Sequence, residues 1–400
     1  MKILPQKLSE INFSPLKREL WFWVGFGLFL YGVGKYTDNW TFHFFATHVR
    51  SPEIDYLIIF LTEKFIWGIL ILFILVTGYR LWTNPENQTK LLPAFFAIVT
   101  TGIMTFILKA FFGVPRPYMG TDLMPLVSAP SLSFPSAHAA ISFALLIPFF
   151  RISKSIGWMW LIFSLGIGVA RIYENVHYPS DIAGGIFLGG IIGSYFSHPS
   201  TKKMITLMWQ ELEFRRQSFH FIAGFLCVFA HWAGFFRLRW IATLLVLGLI
   251  ISYLSVKQKL PVVYKILQLF DRPRDAGFPG KGAFYFLLGV FLTFLIFPVK
   301  IAYAAILILA VGDSLNHLFM SRVPSYLCFP WNRRKNCGGV AVGIVVGTFA
   351  AQFFVPIIPA FLASSFAIMS ETIPFRFWKF YIDDNVFVPI IAGAILSGLS

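Results

Sequence analysis

The segment RIYENVHYPSDIAGG, Arg171 to Gly185, sets an arginine, a glutamate, a histidine and an aspartate between two strongly apolar runs. His177 and Asp181 are four positions apart with Pro179 between them. Proline favours the first turn of a helix, which puts Asp181 in that turn and within reach of His177. A carboxylate that accepts the proton of one ring nitrogen fixes the tautomer and leaves the other lone pair free. His177 is thereby set up as a nucleophile or a base. Two further segments supply partners. KAFFGVPRP closes one apolar run with Lys109 and Arg116, and SFPSAHAA opens the next with Ser136 and His138. A helix starting at Pro135–Ser136 offers free N–H groups to an anion. Lys109, Arg116 and Arg171, a helix N-terminus and two histidines together suit a phosphate. Cations and donors hold its oxygens while one histidine attacks and the other protonates the leaving oxygen.

The elements that must position these groups are membrane spans. The chain has 400 residues, 57% hydrophobic and 13% charged, against about 25% charged in an average soluble domain. Runs of about 20 apolar residues are long enough to cross a hydrocarbon core of about 30 Å. Six spans are predicted at Trp21–Val33, Phe65–Leu81, Leu92–Phe112, Ala137–Phe150, Gly157–Ile172 and Ile182–Phe196. About seven follow, at Phe219–Phe236, Trp240–Val256, Ala283–Phe297, Ile301–Val311, Val340–Val355, Ile358–Met369 and Val386–Leu399. The fold class is all-α: a polytopic helical membrane protein in which a six-helix bundle precedes a second bundle of about seven helices. The polar, amphipathic stretch Ser197–His220 marks the boundary and is expected to lie along the inner membrane surface, giving domains 1–200 and 201–400.

The net charge of +15 would suggest nucleic acid in a soluble protein; here the positive-inside rule accounts for it. With a cytoplasmic N-terminus, most lysines and arginines fall on the inner side, beside anionic headgroups. Lys109, Arg116 and Arg171 fall outside. The three cysteines form neither a disulfide framework nor a metal-spacing motif, and the first apolar run reads as an ordinary span rather than a cleaved signal.

At this point the chain resembles a known family. KAFFGVPRP, PSAH and RIYENVHYPSD are similar to the three signature motifs of the type 2 phosphatidic acid phosphatase superfamily: Lys-x6-Arg-Pro, Pro-Ser-Gly-His and Ser-Arg-x5-His-x3-Asp. The resemblance implies a phosphatase without metal or other cofactor that works through a phosphohistidine. By position, His177 is the nucleophile, Asp181 orients it and His138 is the general acid. Lys109, Arg116, Ser136 and Arg171 hold the phosphate. Ala137 stands for the family glycine and Ala170 for the serine before the arginine; neither change removes a reacting group. Glu174 matches no motif position and is expected to be solvated or to tune the nearby histidines. So much apolar surface around the site points to a lipid phosphate or pyrophosphate substrate, such as a polyprenyl pyrophosphate, phosphatidate or phosphatidylglycerol phosphate, among membrane lipids.

The second half gathers its polar residues on the cytoplasmic side, in FRRQSFHFIAG, FDRPRDAGFPGKGAFYFLLG, AVGDSLNHL, WNRRKNCGG and a final segment with Asp383-Asp384-Asn385. These pieces loosely resemble the membrane CTP-dependent lipid kinases, the phytol kinase and dolichol kinase group. The resemblance implies Mg²⁺ and CTP, with Arg272, Arg274, Lys281 and Lys335 on phosphates. It further implies Asp313, Glu371, Asp383 and Asp384 on metal or a substrate hydroxyl. The lysine-glycine turn lacks the group's threonine and glutamate, so a degenerate, non-catalytic membrane domain is the competing reading. His231 and His317 are expected to be structural. For the first half the rivals are a vanadate-dependent haloperoxidase and a transporter or flippase that holds a phosphate headgroup without reacting with it.

Overall fold

The computed structural model describes residues 14–65, 88–120, 132–232, 236–257, 260–320, 331–373 and 383–399. Short stretches at 124–127, 328–329, 376–377 and 380–381 and the single residues 68, 129 and 234 are also described. The chain divides into two compact units, Met1–Met208 and Trp209–Ser400. The architecture is all-α. Among the described residues, Leu91–Met119, Lys154–Tyr173, Leu238–Val256 and Val299–Leu318 are long and apolar enough to cross a membrane. Shorter apolar helices lie at Ala137–Ile152, Lys281–Ile296, Cys337–Ala351, Ile357–Ser370 and Asp384–Gly398. Most of the expected span Phe65–Leu81 lies outside the described residues.

Unit 1 contains α1 (Ser14–Phe44), α2 (Pro52–Ile59), α3 (Gln88–Phe112), α4 (Ala137–Ile152), α5 (Lys154–Tyr173), α6 (Pro179–Ser197) and α7 (Pro199–Trp209), with π-helical turns at 45–49 and 60–65. The first helix runs well past the expected Trp21–Val33. Its polar end is satisfied from within: Asp38 is buried and accepts from both the backbone N–H (2.9 Å) and the hydroxyl (2.7 Å) of Ser180. That carboxylate sits at the N-terminus of α6, where the helix dipole and free amides favour an anion.

Helix α6 is the centre of the unit and packs against α1, α3 and α4. Its contact with α4 is backbone to backbone. A β-carbon on Gly189 would lie 2.2 Å from the Ala140 carbonyl oxygen, and one on Gly185 would lie 2.7 Å from that of Ser136. Small residues one turn apart let two helices approach closely inside a membrane. This contact aligns the first turns of α4 and α6, the turns that carry His138 and Asp181.

Unit 2 contains α8 (Leu212–Trp232), α9 (Leu238–Val256), α10 (Pro261–Gln268), α11 (Lys281–Ile296), α12 (Val299–Leu307), α13 (Ser314–Met320), α14 (Cys337–Ala351), α15 (Ile357–Ser370) and α16 (Asp384–Gly398). The pairs β1 (Cys328–Phe329) with β2 (Asn332–Asn336) and β3 (Arg376–Phe377) with β4 (Phe380–Tyr381) are short antiparallel ribbons. Residues Ile301–Val311 are buried on every side, as expected of a run apolar all round. A π-helical turn, Ile308–Asp313, separates α12 from α13 and presents Asp313; such turns in helices are frequent at functional positions. The stretch expected along the inner surface is largely helical, in α7 and the start of α8.

Candidate active site

Helix α3 ends at Gly113, whose φ of 63° lets its N–H return to the Lys109 carbonyl at 3.0 Å, a left-handed cap that suits glycine. The chain then turns through Pro115-Arg116-Pro117. Ser136 is the N-cap of α4 and His138 the second residue of that helix; Tyr178 caps α6. The Ser136 N–H donates to the Asp181 carbonyl at 3.0 Å, which joins the two helix starts directly.

His177 is buried. Its Nδ1 lies 3.4 Å from Asp181 Oδ2 and 3.3 Å from Ser133 Oγ. The Ser133 hydroxyl and the Tyr178 N–H both donate to that same Oδ2, at 2.5 and 2.8 Å. On the other side of the ring, Arg116 Nη1 sits 3.2 Å from Nε2 and donates to the Val176 carbonyl at 2.8 Å. A guanidinium has no acceptor, so Nε2 faces it with its lone pair and the ring proton is on Nδ1. The free ring lone pair therefore points at the cation. Burial first, then Arg116, Lys109 and Arg171, hold the His177 imidazole well below the usual histidine range.

The remaining predicted groups surround this ring. Lys109 Nζ donates to the Leu132 carbonyl at 2.5 Å and the Ser133 carbonyl at 2.9 Å, so it also fastens the loop before α4. Ser136 is fully buried and its Oγ has no hydrogen-bond partner among the described residues. His138 lies within electrostatic reach of His177, Arg171 and Arg116 and hydrogen-bonds the Thr62 backbone. Arg171 Nη1 is 2.7 Å from Glu174 and 3.3 Å from Glu63. Glu174 is completely buried and accepts from the Thr62 hydroxyl. This corrects the expectation of a solvated Glu174: its carboxylate is the counter-charge of Arg171. Ser133, Thr62 and Glu63 are parts of the site that the motifs do not include. For Ser133 the signal was its place two residues before the Pro-Ser-Ala-His motif.

In unit 2, Arg272 pairs with Glu213 at 3.5 Å and Lys281 with Asp275 at 3.5 Å. Arg274 lies in the turn Pro273–Asp275 and Lys335 in β2. Asp383 is the N-cap of α16, accepting from the Asn385 N–H at 3.1 Å, and Asp384 is the first residue of that helix. Asp313 and Glu371 come together, with His317 as a third member: one ligand atom from each lies within 4.8 Å of the others. Asp383 and Asp384 stand outside that group. The two carboxylates are oxygen donors of the kind divalent cations take, and the Arg216 guanidinium lies near Gly282 at the start of α11. His231 is hydrogen-bonded to the Tyr303 hydroxyl at 2.8 Å.

Comparison with known proteins bears on unit 1. Residues 90–205 match the family model of the PAP2 superfamily. Undecaprenyl-diphosphatase BcrC of Bacillus subtilis is 27% identical over 148 residues, 37% of this chain and 75% of that protein. Lipid A 1-phosphatase of Rhizobium johnstonii is 29% identical over 141 residues, 30% of this chain and 55% of that protein. The crystal structure of Aquifex aeolicus LpxE has 25% sequence identity and covers 39% of this chain and 92% of its own, with a TM-score of 0.33. The helix-capped cluster around His177 thus falls inside the segment, residues 90–205, that is similar to the PAP2 superfamily.

Proposed function

We propose that the N-terminal half is a membrane phosphatase acting on a lipid phosphate or pyrophosphate. The observation that carries this reading is the fixed polarity of His177, with Asp181 and Ser133 at Nδ1 and Arg116 at Nε2. A phosphate held by Arg116 has its phosphorus beside the attacking nitrogen. His177 Nε2 attacks, the bond to the leaving oxygen breaks, and His138 supplies its proton. Water then attacks the phosphohistidine with His138 as base, and Nε2 recovers its lone pair. Asp181 offsets the charge of the imidazole while it is phosphorylated; Lys109, Arg171 and Ser136 hold the phosphoryl oxygens. The relatives named for undecaprenyl diphosphate and lipid A support a lipid substrate, and the charge distribution of the loops supports a site on the outer leaflet.

The test is phosphate release from detergent-solubilised protein over a panel of lipid phosphates and pyrophosphates. His177→Ala is expected to abolish release. Turnover that survives this substitution would remove the phosphohistidine and favour a protein that only carries the headgroup. For the C-terminal half, the grouping of Asp313 and Glu371 favours a second reading, a lipid alcohol kinase that uses Mg²⁺ and CTP. Transfer of label from CTP to polyprenol, phytol or diacylglycerol is expected; its absence with all three returns that half to a non-catalytic role.

A further inference from the structure

We infer that Asp313, His317 and Glu371 form a binding site for a divalent cation of the Mn²⁺ or Zn²⁺ class, with the imidazole as a direct ligand. The site goes beyond the nucleotide reading above and stands without it, because it is built by geometry that includes His317.

Asp313 closes the π-helical turn 308–313, and His317 follows one helical turn later on α13, so both side chains share a face. His317 Nε2 lies 3.2 Å from Asp313 Oδ1. Glu371, just past the end of α15, brings the third ligand, and one donor atom from each residue lies within 4.8 Å of the others. Ligands at about 2.0–2.2 Å from a tetrahedral ion stand roughly 3.4 Å from one another, so the three need to close only slightly on an ion. The helix that leads to Glu371 lies close to the turn that carries Asp313: a β-carbon on Gly312 would lie 3.1 Å from Ile368 Cδ1 of α15.

A second observation points the same way. Asn316 is fully buried, and its Nδ2 donates to Glu371 Oε2 at 3.0 Å. Its amide oxygen has no hydrogen-bond partner among the described residues. A buried amide oxygen left unmatched costs free energy, and here it sits beside the ligand set. His220, also buried and with no hydrogen-bond partner at Nδ1 among the described residues, lies in electrostatic reach of both Asp313 and His317.

The donor set decides the ion. Mg²⁺ prefers oxygen ligands in octahedral array and keeps its waters, whereas a set that joins imidazole to carboxylates suits Zn²⁺ best and, among oxygen-preferring ions, a transition metal such as Mn²⁺. Two carboxylates match the charge of one divalent ion. Three protein ligands leave positions for water or a substrate oxygen, the pattern of catalytic rather than closed structural sites.

The test uses the full chain in detergent after treatment with chelator. Mn²⁺ and Zn²⁺ are each expected to bind at one equivalent per chain, more tightly than Mg²⁺. Bound Mn²⁺ is expected to show nitrogen coupling in pulsed electron paramagnetic resonance. His317→Ala is expected to remove that coupling and weaken Mn²⁺ and Zn²⁺ binding about 10- to 100-fold, with less effect on Mg²⁺. His317 is partly exposed, so this variant keeps the fold; Asp313→Asn is the second variant, with circular dichroism as its folding control. No stoichiometric binding, or bound Mn²⁺ whose spectrum is unchanged in His317→Ala, overturns the assignment. Phosphate release by the N-terminal half is measured in parallel, so failure here is distinguished from failure of the phosphatase reading.

Discussion

Replacing Gly189 by alanine tests whether the α4–α6 contact sets the active geometry. The added β-carbon would lie 2.2 Å from the Ala140 carbonyl oxygen and 2.8 Å from the Ala144 nitrogen. Carbon and oxygen normally approach to about 3.3–3.6 Å, so the helices must separate by about 1 Å. Neither obstructing atom is on a side chain that can swing aside; both belong to the backbone of α4. Overpacking of this kind typically costs about 1–3 kcal/mol. The larger effect is catalytic. Separation stretches the link from the Ser136 N–H to the Asp181 carbonyl, now 3.0 Å, and moves His138 relative to His177. A displacement of about 1 Å at reacting groups is worth about 100-fold in rate. The assay is phosphate release from a lipid phosphate in detergent, with thermal unfolding measured on the same samples. Gly189→Ala is expected to lose about two orders of magnitude in kcat/KM while remaining folded. Gly166→Ala is the control, because nothing lies within 4 Å of its added carbon; it is expected to keep full activity. If Gly189→Ala stays within about threefold of the parent, the close approach of α4 and α6 does not govern the site.

Two further outcomes are expected. Ser133→Ala removes a hydroxyl bonded to a carboxylate, worth about 1.5–3 kcal/mol. It should lower kcat 10-fold or more with little change in KM, and an unchanged kcat would show that Asp181 orients His177 unaided. The imidazole of His177 is held well below the usual range by burial and by Arg116, Lys109 and Arg171. It therefore stays neutral, and reactive, below about pH 6.5, the value of the free group. Its sign in stability is the converse. The unfolded chain takes up a proton that the folded site refuses, so stability falls as pH drops below about 6.5. Unfolding midpoints between pH 7 and 5 should fall more steeply for the parent than for His177→Asn, and equal slopes would contradict the shift.

The groups that gather around His177 were legible because their types are rare in so apolar a chain and their spacing is short. His177 and Asp181 share a helix start, and Lys109 precedes Arg116 across one turn; such relations survive in a linear string. The supporting groups were not legible. Thr62 meets Glu174 across 112 positions and Asp38 meets Ser180 across 142, and no periodicity announces such pairs. Glu174 read as solvated because a lone acid beside a membrane usually is; only its partner Arg171, packed at 4% side-chain exposure, reveals otherwise. His317 follows Asp313 at the same four-residue interval that links His177 and Asp181, although in reversed order. Asp313 and Glu371 were named from the sequence as metal ligands, whereas His317, expected to be structural, joins them only once the elements are folded together. The helical architecture followed from hydropathy alone, whereas the lengthening of α1 depends on a partner helix far along the chain.

The bond from Asp38 to Ser180 reaches outside the segment that carries the family likeness, which begins at residue 90. A fragment trimmed to residues 90–205 would keep Lys109, Arg116, His138, Arg171, His177 and Asp181 and lose the anchor beneath the histidine-bearing turn. The smallest piece that keeps this anchor is accordingly longer than the segment that carries the family likeness. Swapping that core into a foreign membrane scaffold would demand an acid delivered by the host's own leading helix.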